Sequence, residues 1–220
     1  MMEKYNVWFV SDLHIGHKNI LYHSPNRIES FKLKDKNDID EHDKYIINMW
    51  LSMTKRGDHI YVLGDFIMTN KKETEKILNI LKSKGVKIYM VLGNHDKSLK
   101  GLDRYFESVD LYKNVRFKKT LFDFIEEDEF EVFMCHYPMK SWFNKPRGSM
   151  HLYGHVHNNS PHIDIETDDL CLNVGLDCPH MNHKLISLEE IYKYYKSKLN
   201  GLTPIEYIEK VTKENNKFIR

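Results

Sequence analysis

Residues 59–96 read HIYVLGDFIMTNKKETEKILNILKSKGVKIYMVLGNHD, and this stretch decides the fold class. His59–Leu63 is a buried-strand pattern that stops at Gly64-Asp65. Glu73–Lys84 places Ile77, Leu78, Ile80 and Leu81 on one face at helical spacing, and Gly85 ends it. Val86–Leu92 is a second strand, ending in Gly93-Asn94-His95-Asp96. Strand, helix and strand in this order predict parallel pairing with a right-handed crossover. The C-terminal ends of such strands meet on one edge of the sheet, where ligands bind. Both strands end in a Gly followed by a side chain able to hold a metal.

Working outward, Asn6–Val10 is another strand-like run, ending in Ser11-Asp12-Leu13-His14. Residues 16–37 show no period and read as a loop. Ile39, Tyr45, Ile46, Met49, Trp50 and Met53 share one face, which predicts a helix over about 38–55, stopped by Gly57-Asp58. Downstream, Val115–Ile125 and Phe130–Cys135 around the acidic turn Glu126–Glu129 predict an antiparallel hairpin. Further strands are expected near 151–154, 162–165 and 170–174, and at Leu185-Ile186. Ser187 is placed to cap a last helix running to about Lys198. The tail, with Lys210, Lys213, Lys217 and Arg220, reads as a solvated end. No Pro/Gly/Ser linker and no internal repeat divides the chain, so residues 1–220 are read as one domain.

With 41% hydrophobic and 30% charged residues, the chain is globular and not disordered. Its 33 basic and 32 acidic residues leave a formal charge of +1, which gives no argument for nucleic acid or an anionic membrane. No apolar run approaches the roughly 18 residues of a membrane span. Met1-Met2-Glu3-Lys4 leads straight into a strand without a secretory pattern. Cys135, Cys171 and Cys178 form no CxxC, so a reducing, cytoplasmic location is expected.

The chemistry-bearing residues share one kind of position. Asp12 and His14, Asp65, Asn94 and His95, His136, and His155 and His157 each follow a strand pattern. Carboxylates, imidazoles and an amide oxygen make a mixed N/O donor set suited to Mn, Fe, Ni, Co or Zn. Residues i and i+2 of an extended stretch point to one side, so Asp12 with His14, and His155 with His157, can each give two ligands. Asp65 is the only candidate on its loop, and its two oxygens make it the natural bridge between two ions. Gly64, Gly93 and Gly154 allow backbone to approach closely.

In this order, Asp12-Leu13-His14, Gly64-Asp65, Gly93-Asn94-His95-Asp96, His136 and Gly154-His155-Val156-His157 resemble the calcineurin-like metallophosphoesterase superfamily, from about residue 5 to 158. The resemblance implies an α/β fold, a four-layer α/β/β/α sandwich of two mixed β-sheets flanked by helices. It implies one divalent ion on Asp12, His14, Asp65 and His157, and a second on Asp65, Asn94, His136 and His155. Manganese leads, with Fe, Ni, Co, Zn or Mg as alternatives. It also implies phosphoester hydrolysis by a hydroxide bridging the ions, with His95 as the acid and Asp96 orienting it. The arginines that accompany these motifs in the protein Ser/Thr phosphatase branch are missing from Gly64–Asn70 and Leu92–Asp96. The opening Asp-x-His-x-Gly-His is similar instead to small bacterial and phage phosphoesterases.

His17, Lys145 and Arg147 are the candidate substrate contacts. Lys145 and Arg147 lie in a loop, 139–150, that also carries Lys140, Trp142 and Phe143. Cations beside aromatics can hold a phosphate and stack a base. The same loop can equally be a surface connection, with Trp142 packed on the domain. The favoured reading is a phosphodiesterase acting on a small, nucleotide-type ester. A nuclease or dinucleoside-polyphosphate hydrolase is the alternative among enzymes. A non-catalytic phosphate-binding or scaffold module is the alternative from another class. No membrane partner is expected, nucleic acid is not indicated by net charge, and the sequence sets no oligomeric state. Cys171, Cys178, His180 and His183 match no common zinc spacing, so a separate zinc site is set aside.

Overall fold

In the computed structural model, which describes residues 5–158 and 170–217, the alternation at 59–96 becomes two adjacent parallel strands. β2 (His59–Val62) pairs with β3 (Lys87–Val91), from His59 opposite Lys87 to Val62 opposite Met90. The crossover helix α4 (Lys71–Lys82) begins two residues before the expected Glu73, because the Asn70 side chain caps it by accepting from the Glu73 amide. β1 (Val7–Val10) lies parallel on the other side of β2. β4 (Ser108–Asp110) extends the sheet beyond β3, and β9 (Ile186–Ser187) closes it antiparallel to β1. The order is β4-β3-β2-β1-β9.

The second sheet has the order β5 (Tyr112–Lys118), β6 (Glu129–Cys135), β7 (Met150–Tyr153), β8 (Cys171–Asn173). β5 and β6 are antiparallel, and β6, β7 and β8 are parallel. Both sheets are therefore mixed. Phe9, Tyr61 and Tyr89 lie in register across three strands and stack at 5.3 and 4.6 Å. Phe117 of β5 meets Phe9 and Tyr61 edge-on at 6.1 and 6.3 Å, which packs one sheet against the other.

Helices flank the sheets. The Trp50 indole of α3 (Ile39–Met53) stacks on Phe66 and donates to the Leu81 carbonyl of α4 at 3.2 Å. α5 (Leu188–Leu199), held by a Ser187/Glu190 capping box, sets Tyr192 and Tyr195 on Phe130.

Some expectations change. Residues 16–37 hold two short helices, α1 (Ile20–His23) and α2 (Asn26–Ser30), each too brief to show a period. β5 stops at Lys118, and the following connection buries Phe122 and Ile125 instead of extending the hairpin. The tail is a helix, α6 (Pro204–Lys217), with Tyr207 buried and Lys210 and Lys213 exposed. The strand expected at 162–165 lies outside the described residues. No helix among the described residues is long and apolar enough to cross a membrane.

One junction fixes where the site forms. The Ser11 amide donates to the Val174 carbonyl at 2.8 Å, and the Leu176 amide donates to the Ser11 carbonyl at 3.0 Å. The end of β1 is thereby stitched to the segment after β8. The C-terminal ends of parallel strands from both sheets share one edge.

Candidate metal centre

The backbone at this edge is unusual. Asp12, His14, Asp65, His155 and His157 have φ of 58°, 52°, 52°, 73° and 50°. Side chains with a Cβ rarely adopt this left-handed region, and such strain gathers at functional sites. The extended Asp12–His14 stretch expected from sequence is thus replaced by two left-handed residues. Cross-loop bonds hold them: the Asp12 amide to the Gly64 carbonyl at 3.1 Å, and the His14 amide to the Asp65 carbonyl at 2.9 Å. Two glycines give the space required. A Cβ on Gly93 would lie 2.4 Å from Asp65 Oδ1, and one on Gly154 would lie 2.5 Å from Asp12 Oδ2.

The side chains converge. His14 Nε2 lies 3.2 Å from His157 Nε2, 4.0 Å from Asp12 Oδ1 and 3.8 Å from Asp65 Oδ2. His136 Nε2 lies 3.6 Å from Asp65 Oδ2 and 3.1 Å from Asn94 Oδ1. Asp65 Oδ2 therefore faces both imidazoles, while Oδ1 accepts from the His95 amide at 2.9 Å. Two groups emerge, Asp12/His14/His157 and Asp12/Asp65/His136, each with donor atoms within 4.8 Å of one another. The His155 ring stands 5.1 Å from that of His136, and its amide donates to the Asp12 carboxylate at 3.0 Å.

Hydrogen bonds set which ring nitrogen faces inward. His136 Nδ1 donates to the Leu63 carbonyl at 2.7 Å, and His157 Nδ1 donates to Asp177 Oδ2 at 2.6 Å. Each Nε2 then presents a lone pair to the centre. Burial holds His14 well below the ordinary histidine range, and burial also lowers His155, so both favour the neutral form that ligation requires. Burial pushes His157 down, but its bond to Asp177 and the charge of Asp12 outweigh it and raise its pKa overall. Burial raises the pKa of Asp12.

The remaining site candidates separate. The His95 ring stands 6.0 Å from that of His14 and 6.4 Å from that of His17. His17 also lies 5.4 Å from His14, with its buried Nδ1 unpartnered. Asp96 does not hold the His95 ring. Its carboxylate accepts from the backbone amides of Asp65, Phe66 and Gly93 at 2.9, 2.9 and 2.6 Å, so it shapes the two ligand loops instead. Arg147 is not beside the centre. It lines a cavity of about 310 Å³ with Arg116, Glu129 and Glu131, at the start of β6, whereas His136 follows the end of that strand. Lys145 is folded onto its own loop, donating to the Lys140 carbonyl at 2.7 Å and lying over the Trp142 ring at 4.5 Å. Trp142 is buried and donates to the Ser149 carbonyl, so it packs on the domain.

Sequence reading passed over several residues. Tyr137 directly follows His136, is 44% exposed, and meets the His155 ring edge-on at 4.7 Å. Asp177 and Arg27 are buried behind His157. Asp177 had a readable signal, since it follows β8 and Gly175 just as Asp65 follows β2 and Gly64. Cys171, Cys178, His180 and His183 form no metal-capable group among the described residues. His180 instead donates to the Asn173 carbonyl, and the Cys178 thiol to the His157 carbonyl.

Two mixed sheets whose strand ends gather Asp, His and Asn side chains at one edge form a candidate metal centre of α/β type. The model of the calcineurin-like phosphoesterase family matches residues 5–159, and the chain belongs to that family. It is similar to the Gene 66 protein of Mycobacterium phage L5, with 27% identity over 210 residues that cover 85% of this chain and 92% of that protein. It is also similar to the uncharacterized protein MJ1445 of Methanocaldococcus jannaschii, at 26% identity covering 87% and 92% of the two chains. Among solved structures, the protein of unknown function AQ665 from Aquifex aeolicus shares the fold, with a TM-score of 0.63 at 24% identity, covering 86% of this chain and 99% of that one.

Proposed function

We propose that the chain is a metal-dependent hydrolase of small phosphodiesters, of nucleotide type. The observation that carries this reading is the pairing of acceptor with acceptor at the centre: His14 Nε2 with His157 Nε2 at 3.2 Å, and His136 Nε2 with Asn94 Oδ1 at 3.1 Å. With Nδ1 of His136 and His157 already donating outward, these facing lone pairs fit cations. Asp12, His14, Asp65 and His157 would hold one divalent ion, and Asp65, Asn94, His136 and His155 the other. The N/O donor set suits Mn. When bound, two such ions polarise phosphoryl oxygens and make water acidic enough to supply a nucleophile near neutral pH.

The protein's own groups do the rest. The hydrogen bond donated by the His95 backbone amide to Asp65 Oδ1 fixes its backbone at the rim, and its ring shares space with His14 and His17. From there His95 donates a proton to the leaving oxygen. His17, beside it, contacts the phosphoryl group. Tyr137 offers a flat, half-exposed ring next to His155 on which the base of a nucleotide ester can stack. A second ester substituent is what such a surface rewards, hence the diester preference. The three cysteines, Cys135, Cys171 and Cys178, form no CxxC and suit a reducing, cytoplasmic setting.

The test is turnover of bis(p-nitrophenyl) phosphate against p-nitrophenyl phosphate with added Mn, then a panel of cyclic and linear nucleotides. The diester should react faster. A faster monoester overturns the diester reading, and turnover of neither despite bound metal favours a phosphate-binding module.

A further inference from the structure

Arg27 is fully buried, and all five of its N–H donors have a partner. Nε donates to Asp177 Oδ1 at 2.6 Å, and Nη2 donates to Asp177 Oδ2 at 3.0 Å. Nη2 also donates to the Asp12 carbonyl at 2.6 Å. Nη1 donates to the Leu13 carbonyl at 3.0 Å and to His42 Nε2 at 2.9 Å. His42 can accept because its Nδ1 donates to Asp43 Oδ1 at 2.8 Å, and burial keeps the ring neutral. The other Asp43 oxygen accepts from the Gly16 amide at 2.9 Å, returning to the first ligand loop.

Asp177 passes this anchoring on. Its Oδ2 accepts from His157 Nδ1 at 2.6 Å and from the Ser24 hydroxyl at 2.8 Å. One buried guanidinium thus joins two separate ligand carriers. It holds the carbonyls of the strained Asp12–Leu13 segment directly, and it holds the His157 ring, from the other sheet, through one carboxylate. A lysine could not replace it, because a single ammonium lacks the planar fork that reaches all these partners.

We propose that Arg27 and Asp177 are positioning residues that preset the Asp12/His14/His157 half of the centre for its metal ion. They touch neither substrate nor metal. They act by fixing the ring direction and tautomer of His157 and the backbone of Asp12 and Leu13. The half formed by Asp65, Asn94, His136 and His155 shares no hydrogen bond with this pair, so the pair tunes one ion more than the other. This inference rests on the two-ion reading of the site.

Calorimetric titration of the metal-free full chain with Mn tests it, because the readout is affinity and not turnover. Asp177→Asn should weaken one of two Mn sites about ten- to hundredfold and leave the other within about twofold. In a His157→Ala background the same substitution should cost clearly less affinity, because the part of its effect that runs through His157 is already lost. Wild-type affinity at both sites in Asp177→Asn overturns the proposal, and so does a full additional loss in the His157→Ala background. If Asp177→Asn does not fold, Ser24→Ala, which removes one bond to the same oxygen, should weaken that site about threefold. Unchanged affinity there overturns the proposal. A wild-type chain binding fewer than two ions defeats the two-ion reading instead, which keeps the two failures distinct.

Discussion

His14 Nε2 and His157 Nε2 stand 3.2 Å apart, although one residue follows β1 of the five-stranded sheet and the other follows β7 of the four-stranded sheet. A cation held by both would tie the two sheets together, and metal binding would then be coupled to global stability. At free Mn about a hundredfold above its Kd, stability should rise by about 2.7 kcal/mol, or roughly 5–10 °C in Tm. Thermal melts with Mn and with a chelator check this. Identical melts in both conditions would contradict metal binding at the sheet junction.

Gly93 and Gly154 are sites where one methyl group should abolish the centre. A Cβ at Gly93 meets Asp65 N at 2.7 Å and the His136 ring at 3.0 Å, and a Cβ at Gly154 meets the Ser11 side chain and Asp12 Oδ2 at 2.5 Å. Backbone must move at either place, and the ligands move with it. Gly93→Ala and Gly154→Ala should each lose at least one Mn equivalent by elemental analysis of the purified protein. Full metal content in either would show that the loops relax without disturbing the ligands.

Asp96 should behave as a structural residue. Three backbone amides donate to it inside the protein, and an amide side chain at that position offers one acceptor oxygen instead of two. Asp96→Asn should lower the stability of metal-free protein by about 1–3 kcal/mol in urea denaturation. Wild-type stability with lost turnover would instead support a role exerted through the His95 ring.

His151 should give acid sensitivity that has nothing to do with the metal. It is buried between Trp142, Phe133 and Tyr153, and burial lowers its pKa from 6.5 to about 4. Unfolded chain takes up the proton first as pH falls through about 6.5, while folded chain resists until about pH 4. Stability therefore falls across that window and levels off below it, by about 3 kcal/mol in all. His151→Phe, which fits the same aromatic surroundings, should flatten this part of the stability profile. An unchanged slope would place the acid sensitivity elsewhere.

The candidate ligands were legible because each stands one to four residues past a strand, and strand periodicity is local. Asp12, Asp65, Asn94 and His136 could be located in this way without knowing the fold. Arg27 could not, because it sits in the aperiodic segment 16–37 and its pairing with Asp177 spans 150 positions. The loop carrying Lys145 and Arg147 has the composition of a phosphate contact, but composition carries no direction. Asn144 takes a left-handed φ of 58°, and its side-chain amide donates to Glu131 at 3.0 Å, which turns that loop back along β6. The resemblance implied that Asp96 orients His95, but the backbone amides of the two ligand loops claim its oxygens. The short β4 carried too few residues to show a period, whereas β9 falls where a strand was expected at Leu185-Ile186.

The most direct measurement is the rate of bis(p-nitrophenyl) phosphate hydrolysis as Mn is titrated into metal-free protein, with bound Mn per chain counted at every point. Turnover should be absent without metal and rise to a plateau at two ions per chain. It should then fall about 10²- to 10⁴-fold in His95→Asn with both ions still bound. Full-rate hydrolysis by the metal-free chain, or an undiminished rate in His95→Asn, would contradict a metal-dependent phosphoesterase that uses His95 as its acid.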